Sequence, residues 1–184
     1  MSTWLWVVIV IVAAAVVLAV VWAATRTRRT HELKERFGPE YDRVAADAPT
    51  KRAAESELRE REQHRRELDI RPLDPARRDR YRREWQDVQA RFVDEPAGAA
   101  AEADVLIQRV MRERGYPVDD FDTRAADISV DHPNVVENYR AAHGIVTAYE
   151  RGSAGTEELR HAVRHYRELF DELVEARDAE EVAR

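Results

Sequence analysis

Hydrophobic and polar residues divide this chain into two unequal parts. Residues 1–25 contain no charged side chain, and residues 4–24 form an apolar run without a strongly polar group. As a helix rising about 1.5 Å per residue, this run would be about 31 Å long, close to the thickness of the hydrocarbon core of a bilayer. Backbone amides in hydrocarbon have to be satisfied within the segment. We therefore predict that residues 1–25 form a transmembrane anchor, in which residues 4–24 contact the lipid bilayer.

The residues that flank the run predict its orientation. Trp4, Trp6 and Trp22 lie at its two ends, where aromatic rings prefer the headgroup level. Basic side chains follow the run, whereas only the α-amino group precedes it; they are Arg26, Arg28, Arg29, Lys34 and Arg36. The positive-inside rule then predicts a single-pass protein of the inner cell membrane with its C-terminal domain in the cytoplasm. Binding of anionic headgroups is a second interpretation of the same residues.

A cleaved signal peptide is the alternative to an anchor. Such a peptide has a basic start, a shorter apolar core and small residues before the cleavage site. Here no Lys or Arg precedes the run, the run is too long, and cleavage after Ala24 would put Trp22 at the −3 position. The sequence favours a retained anchor.

Small residues recur along one side of the predicted anchor. Ala15, Ala19 and Ala23 follow each other at intervals of four, a spacing that allows two membrane helices to approach closely. Because alanine is frequent throughout the chain, this stripe predicts at most a weak homodimer.

The polar part of the chain has the periodicity of helices. Apolar residues recur at intervals of three and four, which predicts an all-α fold. Stop and start signals lie at Gly38-Pro39, Pro49, Asp74-Pro75 and Gly115, and Thr156 is expected to cap the last helix. The predicted apolar faces are Tyr81/Trp85/Val88/Phe92, Ala103/Leu106/Ile107/Val110, Val135/Tyr139/Ala142/Val146/Tyr149 and Leu159/Val163/Tyr166/Phe170/Leu173. Short loops between such helices indicate a small antiparallel bundle.

The chain is expected to have three regions. They are the anchor at residues 1–25, a basic juxtamembrane segment with a charged helix at residues 26–72, and a helical bundle domain at residues 73–184. The charged helix, Thr50 to Asp69, has a thin apolar stripe of Ala54, Leu58 and Leu68. It is expected to be exposed on most of its circumference, as a spacer or a docking element, and whether it packs on the bundle is left open.

Charge is distributed unevenly along the polar part. Residues 26–92 carry 19 basic and 15 acidic side chains, net +4, whereas residues 93–184 carry 11 and 21, net −10. The distal half would repel phosphate, which makes nucleic acid an unfavoured partner. The basic run of Arg77, Arg78, Arg80, Arg82 and Arg83 is interleaved with Asp79 and Glu84, which is typical of a solvated face. The chain has no cysteine, which excludes disulfides and thiolate chemistry.

Two histidines one helical turn apart are the candidate metal ligands. His161 and His165 share a strip of the last helix with Glu168 and Glu172. Two histidines at this spacing bind zinc in metalloproteases, where the second position holds a glutamate that acts as general base. Ala162 occupies that position here. A solvated charged face is the favoured interpretation, and a metal site is the alternative.

Two further features, an aspartate cluster and His143, suggest calcium binding and catalysis, but the sequence supports neither. Asp119, Asp120 and Asp122 do not form an EF-hand loop, because Ala125 and Asp131 stand where glycine and glutamate are required. Helix capping by Asp119 or Asp120 explains them. His143, beside a predicted apolar face, is expected to be a packing residue rather than a catalyst.

Three segments resemble those of a known group of proteins. They are Arg36–Arg43, Trp85–Asp94 and the turn Arg114–Val118. Together they resemble a bacterial family of small single-pass membrane proteins, sometimes labelled secreted, and the resemblance covers nearly the whole chain. The family has no assigned activity. The resemblance therefore implies a membrane location and a helical build, and it transfers no catalytic or binding residue.

No catalytic constellation is present in the sequence. It has no nucleophile elbow, no phosphate-binding glycine loop and no convergent Ser/His/Asp set, so we expect no enzyme activity and no cofactor. The leading hypothesis is a membrane-tethered helical interaction or scaffold module with a protein partner. The alternatives are a metal-dependent enzyme or metal sensor using His161 and His165, and a nucleic-acid binder at the membrane surface using residues 26–92.

Overall fold

The computed structural model describes Trp4, residues 16–18 and residues 27–175. The rest of the predicted anchor therefore lies outside the described residues, together with Ala15, Ala19, Ala23 and Arg26. Within the described residues, no helix has the length and apolar character needed to cross a membrane.

The described part of the chain is helical and contains no strand, which confirms the all-α prediction. Trp4 and residues 16–18 are helical, and so are residues 27–37, which we call α1. The helices that follow are α2 (Pro39–Asp47), α3 (Lys51–Glu67), α4 (Pro75–Arg91), α5 (Pro96–Arg114), α6 (Phe121–Asp131), α7 (Val136–Glu150) and α8 (Thr156–Glu175).

Most helix ends lie where the sequence places them. Gly38, with φ of +47°, separates α1 from α2, and Pro39 opens α2. Asp74 caps α4 by accepting a hydrogen bond of 3.0 Å from the backbone N–H of Arg77. Gly115, with φ of +102°, ends α5 in the left-handed region that only glycine adopts readily.

The start of α8 differs from the expectation. The helix begins at Thr156, which is therefore its first residue rather than its cap. Gly155 precedes it, and its backbone N–H donates to the Glu158 carboxylate at 2.9 Å. The carboxylate of the third helical residue reaches back to the position before the helix, as in half of a capping box.

The main hydrophobic core, the bundle, is built mostly from α4, α5, α7 and α8. Helix α8 packs against both α5 and α7, and α4 packs on α5. The Trp85 and Phe170 rings stack with centroids 4.6 Å apart. The predicted apolar faces are buried, except for some residues at their ends. Tyr149 is 36% exposed, and at the start of α7 the buried residue is Val136 rather than Val135.

A second, smaller core lies in the part of the chain that we call the head, residues 27–67 with helices α1, α2 and α3. Its buried residues are Leu33, Phe37, Tyr41, Val44, Ala54 and Leu58, together with Val130 from α6. The stripe of Ala54 and Leu58 is thus covered, although much of the α3 surface is exposed. Helix α3 also contacts α6, so the segment 50–69 packs on the rest of the protein.

Candidate functional site

The most densely bonded polar group in the described part of the chain is the carboxylate of Glu40. The residue is 0% exposed. Arg43 donates to it at 2.9 and 2.8 Å, Arg61 at 2.7 Å, and Arg140 at 2.7 and 3.0 Å. These three guanidinium groups come from α2, α3 and α7. We call the four residues the Glu40 cluster.

The helices bring these side chains together from distant parts of the sequence. Glu40 is the second residue of α2, and Arg43 lies one turn later on the same face. Arg61 also donates to the Ser129 hydroxyl of α6 at 3.2 Å. Arg140 donates to Glu137 on its own helix at 3.2 Å. The cluster therefore connects the head with α6 and α7 through one buried charge.

The surroundings of Glu40 determine its protonation. Burial alone would raise its pKa, but hydrogen bonds from Arg43, Arg140 and Arg61 and the charge of Arg140 outweigh burial and lower the pKa to about 2. Both carboxylate oxygens are occupied by donors. A carboxylate with so low a pKa and so many donors is a poor proton acceptor, so the arrangement joins helices rather than performing acid–base chemistry.

A second polar cluster surrounds the C-terminal turn of α6. The Tyr116 hydroxyl donates to the Asp131 carboxylate at 2.6 Å, and Arg65 of α3 forms an ion pair with the same carboxylate. The buried His132 places Nδ1 3.2 Å from Glu172 of α8, while its Nε2 has no partner in the described structure. Burial, with the charge of Arg114, lowers the His132 pKa despite Glu172. The neutral imidazole is favoured.

A third buried cluster lies between α5, α6, α7 and α8. The Tyr139 hydroxyl accepts from Arg124 Nε at 3.0 Å and donates to Asp104 at 3.2 Å. The Tyr166 hydroxyl is buried and has no hydrogen-bond partner in the described structure. Burial raises the pKa of both phenols. They remain protonated at neutral pH, so they act as hydrogen-bond donors and not as bases or nucleophiles.

The structure does not bring the candidate metal ligands of α8 together. His161 is exposed, whereas His165 Nδ1 lies 3.0 Å from the side-chain oxygen of Asn138 on α7. Glu168 bonds the same asparagine, and Glu172 faces His132. Among the residues that the structure describes, no three His, Cys, Asp or Glu side chains are grouped so as to hold a metal ion. The metal hypothesis therefore gains no support from geometry.

Asp120 and His143 have structural roles. Asp120 caps α6, accepting from the backbone N–H of Thr123 at 2.9 Å and from its hydroxyl at 2.7 Å, as the capping interpretation predicts. His143 stacks on the Phe121 ring with centroids 3.8 Å apart and the planes 11° from parallel. It is half-buried and serves packing between α6 and α7.

The arginine run of α4 is engaged within the protein. Arg77 pairs with Asp74 at 3.0 Å and also with Glu113 of α5, which Arg80 contacts at 3.1 Å. Arg82 pairs with Asp79 at 3.4 Å. These contacts agree with the interpretation of the run as a solvated, salt-bridged face.

Sequence reasoning missed the Glu40 cluster. The Glu40/Arg43 spacing marks a helical pair, but such pairs are common in a chain that is 36% charged. Arg61 and Arg140 lie 21 and 100 residues from Glu40. No sequence pattern relates positions so far apart, and only the packing of α2 against α3 and α7 brings them together.

Comparisons with known proteins were made with family models, curated proteins and solved structures. None of the three gives a match to this chain. The resemblance to a family of small single-pass proteins stays a prediction, and function has to be inferred from the residues and their arrangement.

Proposed function

We propose that this protein is a non-enzymatic, membrane-tethered helical module that presents a protein-binding surface at the cytoplasmic face of the inner membrane. The apolar run of residues 4–24 is its single-pass anchor, and the head and bundle are its cytoplasmic part. The observation that carries the proposal is that an uncharged run of bilayer length is followed in the sequence by a charged part whose described residues fold into packed helices. Arg26, Arg28 and Arg29 follow the run directly in the sequence, on the side that the positive-inside rule assigns to the cytoplasm.

The Glu40 cluster supports a module of fixed geometry. Through Arg61 and Arg140 it joins α2 to α3 and α7, and Arg65 adds an ion pair from α3 to Asp131 of α6. A head so joined to the bundle keeps the two in a defined arrangement. A protein that spaces a partner from a membrane needs such a fixed arrangement. Catalysis instead needs a group placed for proton or electron transfer, and the clusters of the described residues offer no such group.

The exposed side of α8 is the proposed partner-binding surface. The segment Tyr116–Pro133 is a less suitable candidate, because most of α6 is buried between the head and the bundle. Helix α8, by contrast, exposes both acidic and basic side chains, among them Glu157, Arg164, Glu168 and Glu175. A mixed, exposed charged surface favours a polar protein partner over an apolar one.

Topology is tested with single cysteines, since the chain has none of its own. The variants S2C and A183C are treated with a membrane-impermeant maleimide, first in intact spheroplasts and then after permeabilisation. We expect S2C to react in intact spheroplasts and A183C only after permeabilisation. Reaction of A183C in intact spheroplasts, or recovery of the protein in the soluble fraction after alkaline extraction, would contradict the proposal.

Partner binding is tested with a photo-crosslinking amino acid in place of Arg164. We expect a reproducible crosslinked protein that is absent from an anchor-only control and is lost in the E168K/E175K variant. The matched variant E60K/E67K makes the same change of charge on exposed positions of α3 and should retain the product. No product above the anchor-only control, or equal loss in both variants, would count against α8 as the binding surface.

A further inference from the structure

We propose that one end of the head binds anionic phospholipid headgroups. This end, which we call the basic end, is formed by Arg28 and Arg29 of α1 and by Lys51 and Arg52 of α3. The inference rests on the proposed function, because it requires that residues 4–24 be embedded in the bilayer. It extends that proposal by assigning a lipid-binding surface to residues of α3 that lie far from the anchor in sequence.

The alignment of α1 with α3 places these residues at one level. The Thr30 hydroxyl donates to Glu55 at 2.7 Å, and Arg36 pairs with Glu62 at 3.2 Å. The paired positions differ by 25 and 26 residues and increase together, so the two helices run parallel. Lys51 and Arg52 at the start of α3 therefore lie beside the start of α1.

Helix α2 returns the chain to the same end. Glu40 at its start pairs with Arg61, whereas Val44, Asp47 and Ala48 line a small hollow with Ala53 and Glu57. Positions on α2 thus increase as those on α3 decrease, so α2 runs antiparallel to α3. The turn at residues 48–50 consequently lies at the basic end.

The basic end has an excess of free positive charge. Residues 27–31 and 48–54 at this end contain four Arg or Lys side chains and no Asp or Glu. Asp47, just before the turn, is paired with Arg43 at 3.0 Å. All four basic side chains are exposed. Arg28, Arg29 and Arg52 form no ion pair with any residue of the described part, and Lys51 Nζ only approaches Glu55, at 3.9 Å.

The opposite end of the head lacks this excess. Residues 34–40 and 61–67 contain five basic and four acidic side chains, and several of them are paired, including Arg36 with Glu62 and Arg61 with Glu40. The excess of positive charge is therefore confined to the end from which the chain continues into the predicted anchor. A general property of an arginine-rich chain would not produce this difference between the two ends.

The anchor brings the basic end within range of the headgroups. Arg28 lies four residues after Ala24, so the two are at most about 14 Å apart whatever the conformation between them. The Debye length at physiological ionic strength is about 8 Å, and long basic side chains extend towards an anionic surface. Lys51 and Arg52, beside Arg28 and Arg29, share this proximity.

Anionic lipid fits these charges better than free nucleic acid does. A membrane surface is planar, and the tether holds it at the basic end. The lipid headgroup is therefore the occupant that the position and the charge both favour.

The test uses the full chain reconstituted in vesicles that contain spin-labelled phosphatidylcholine as a quencher. Because the chain has no cysteine, the variants P49C and Q63C each carry one fluorophore. Pro49 lies at the basic end, whereas Gln63 is exposed on α3, about 18 Å beyond Lys51. Vesicles of phosphatidylcholine alone are compared with vesicles that also contain phosphatidylglycerol.

We expect phosphatidylglycerol to increase the quenching of P49C about twofold and to leave that of Q63C unchanged. Salt that shortens the Debye length from about 10 Å to about 3 Å should abolish the increase. The K51E/R52E change, made in the P49C background, should abolish it too. The R66E/R83E change alters the charge equally at other exposed positions and should leave the increase intact.

Vesicle flotation separates the two proposals. A chain that floats with both kinds of vesicle but gives equal P49C quenching in both would overturn the lipid-binding inference and leave the anchor standing. A chain that floats with neither would overturn both proposals. Displacement of the P49C probe from phosphatidylglycerol vesicles by a stoichiometric amount of RNA would also overturn the inference, in favour of a nucleic-acid site.

Discussion

Arg140 donates hydrogen bonds from both of its terminal nitrogens to the carboxylate of Glu40, which lies 100 residues earlier in the chain, at 2.7 and 3.0 Å. The contact joins α7 of the bundle to α2 of the head. Glu40 is buried and also accepts from Arg43 and Arg61, so all three guanidinium groups share this one carboxylate. Each arginine has a second, more exposed partner as well: Asp47 for Arg43, Glu57 for Arg61 and Glu137 for Arg140. The stability of this junction should therefore be unusually sensitive to that single carboxylate.

Replacing Glu40 with glutamine should destabilise the protein by about 3 kcal/mol, because the change removes the buried carboxylate that three guanidinium groups share and leaves them close together with only their more exposed partners. The measurement is the free energy of unfolding of the full chain in detergent, from denaturant titration followed by circular dichroism. The control is E60Q, at an exposed glutamate whose only contact in the described structure is the Ser56 hydroxyl at 3.3 Å. This control should change stability by less than about 0.5 kcal/mol. Equal effects of the two substitutions would show that the Glu40 cluster does not stabilise the fold.

Acid should weaken the same junction. The folded pKa of Glu40 is about 2, below its ordinary value of 4.5, so its contribution is fully present above pH 4.5 and is lost as the pH falls towards 2. The difference in pKa corresponds to about 3 kcal/mol. Burial raises the pKa of Asp127, so protonation of this group in acid favours the folded state. Its effect on the free energy of unfolding therefore opposes that of Glu40 over an overlapping range of pH. For this reason the measurement is the difference in unfolding free energy between wild type and E40Q as a function of pH. A difference that stays constant from neutral pH down to pH 3 would contradict the prediction.

His132 should give a separate pH dependence at milder acidity. Burial lowers its pKa below 6.5, so this imidazole takes up a proton less readily in the folded protein than in the unfolded chain. Stability should therefore fall as the pH drops below 6.5. Unfolding free energies of wild type and H132Q, measured between neutral pH and about pH 5, test this, because the variant should lack this step. A step of equal size in the variant would assign it to another group.

Two glycines should respond in opposite ways to alanine. At Gly115, φ is +102°, and an added Cβ would lie 2.3 Å from the Asp69 carbonyl oxygen. G115A should therefore destabilise the protein by about 2–4 kcal/mol. At Gly144, within α7 and exposed, an added Cβ meets nothing within 4 Å. G144A should stabilise the protein by about 0.5–1 kcal/mol. Thermal unfolding of both variants checks the pair, and a loss of stability in G144A would be inconsistent with this environment.

Local signals in the sequence predicted much of the helical structure. Asp74, Asp120 and Gly115 act on neighbouring backbone groups, so their effect is readable from the chain itself, and all three lie where expected. Thr156 is a counter-example, because Gly155 and Glu158 complete the start of α8 instead. The thin stripe of Ala54 and Leu58 gave no indication of which helices would cover it, and contacts with α2 and α6 decide that.

The uncharged N-terminal run, the helical periodicity and most helix ends can be read from the order of the amino acids, because these features depend on residues within a few positions of one another. The contacts of Glu40 with Arg61 and Arg140, the burial of His132, and the position of Lys51 and Arg52 beside Arg28 and Arg29 arise only in the folded protein. Those relationships depend on how whole helices pack. Packing is set by the sum of many weak side-chain contacts between distant segments, and no short stretch of the chain contains that sum.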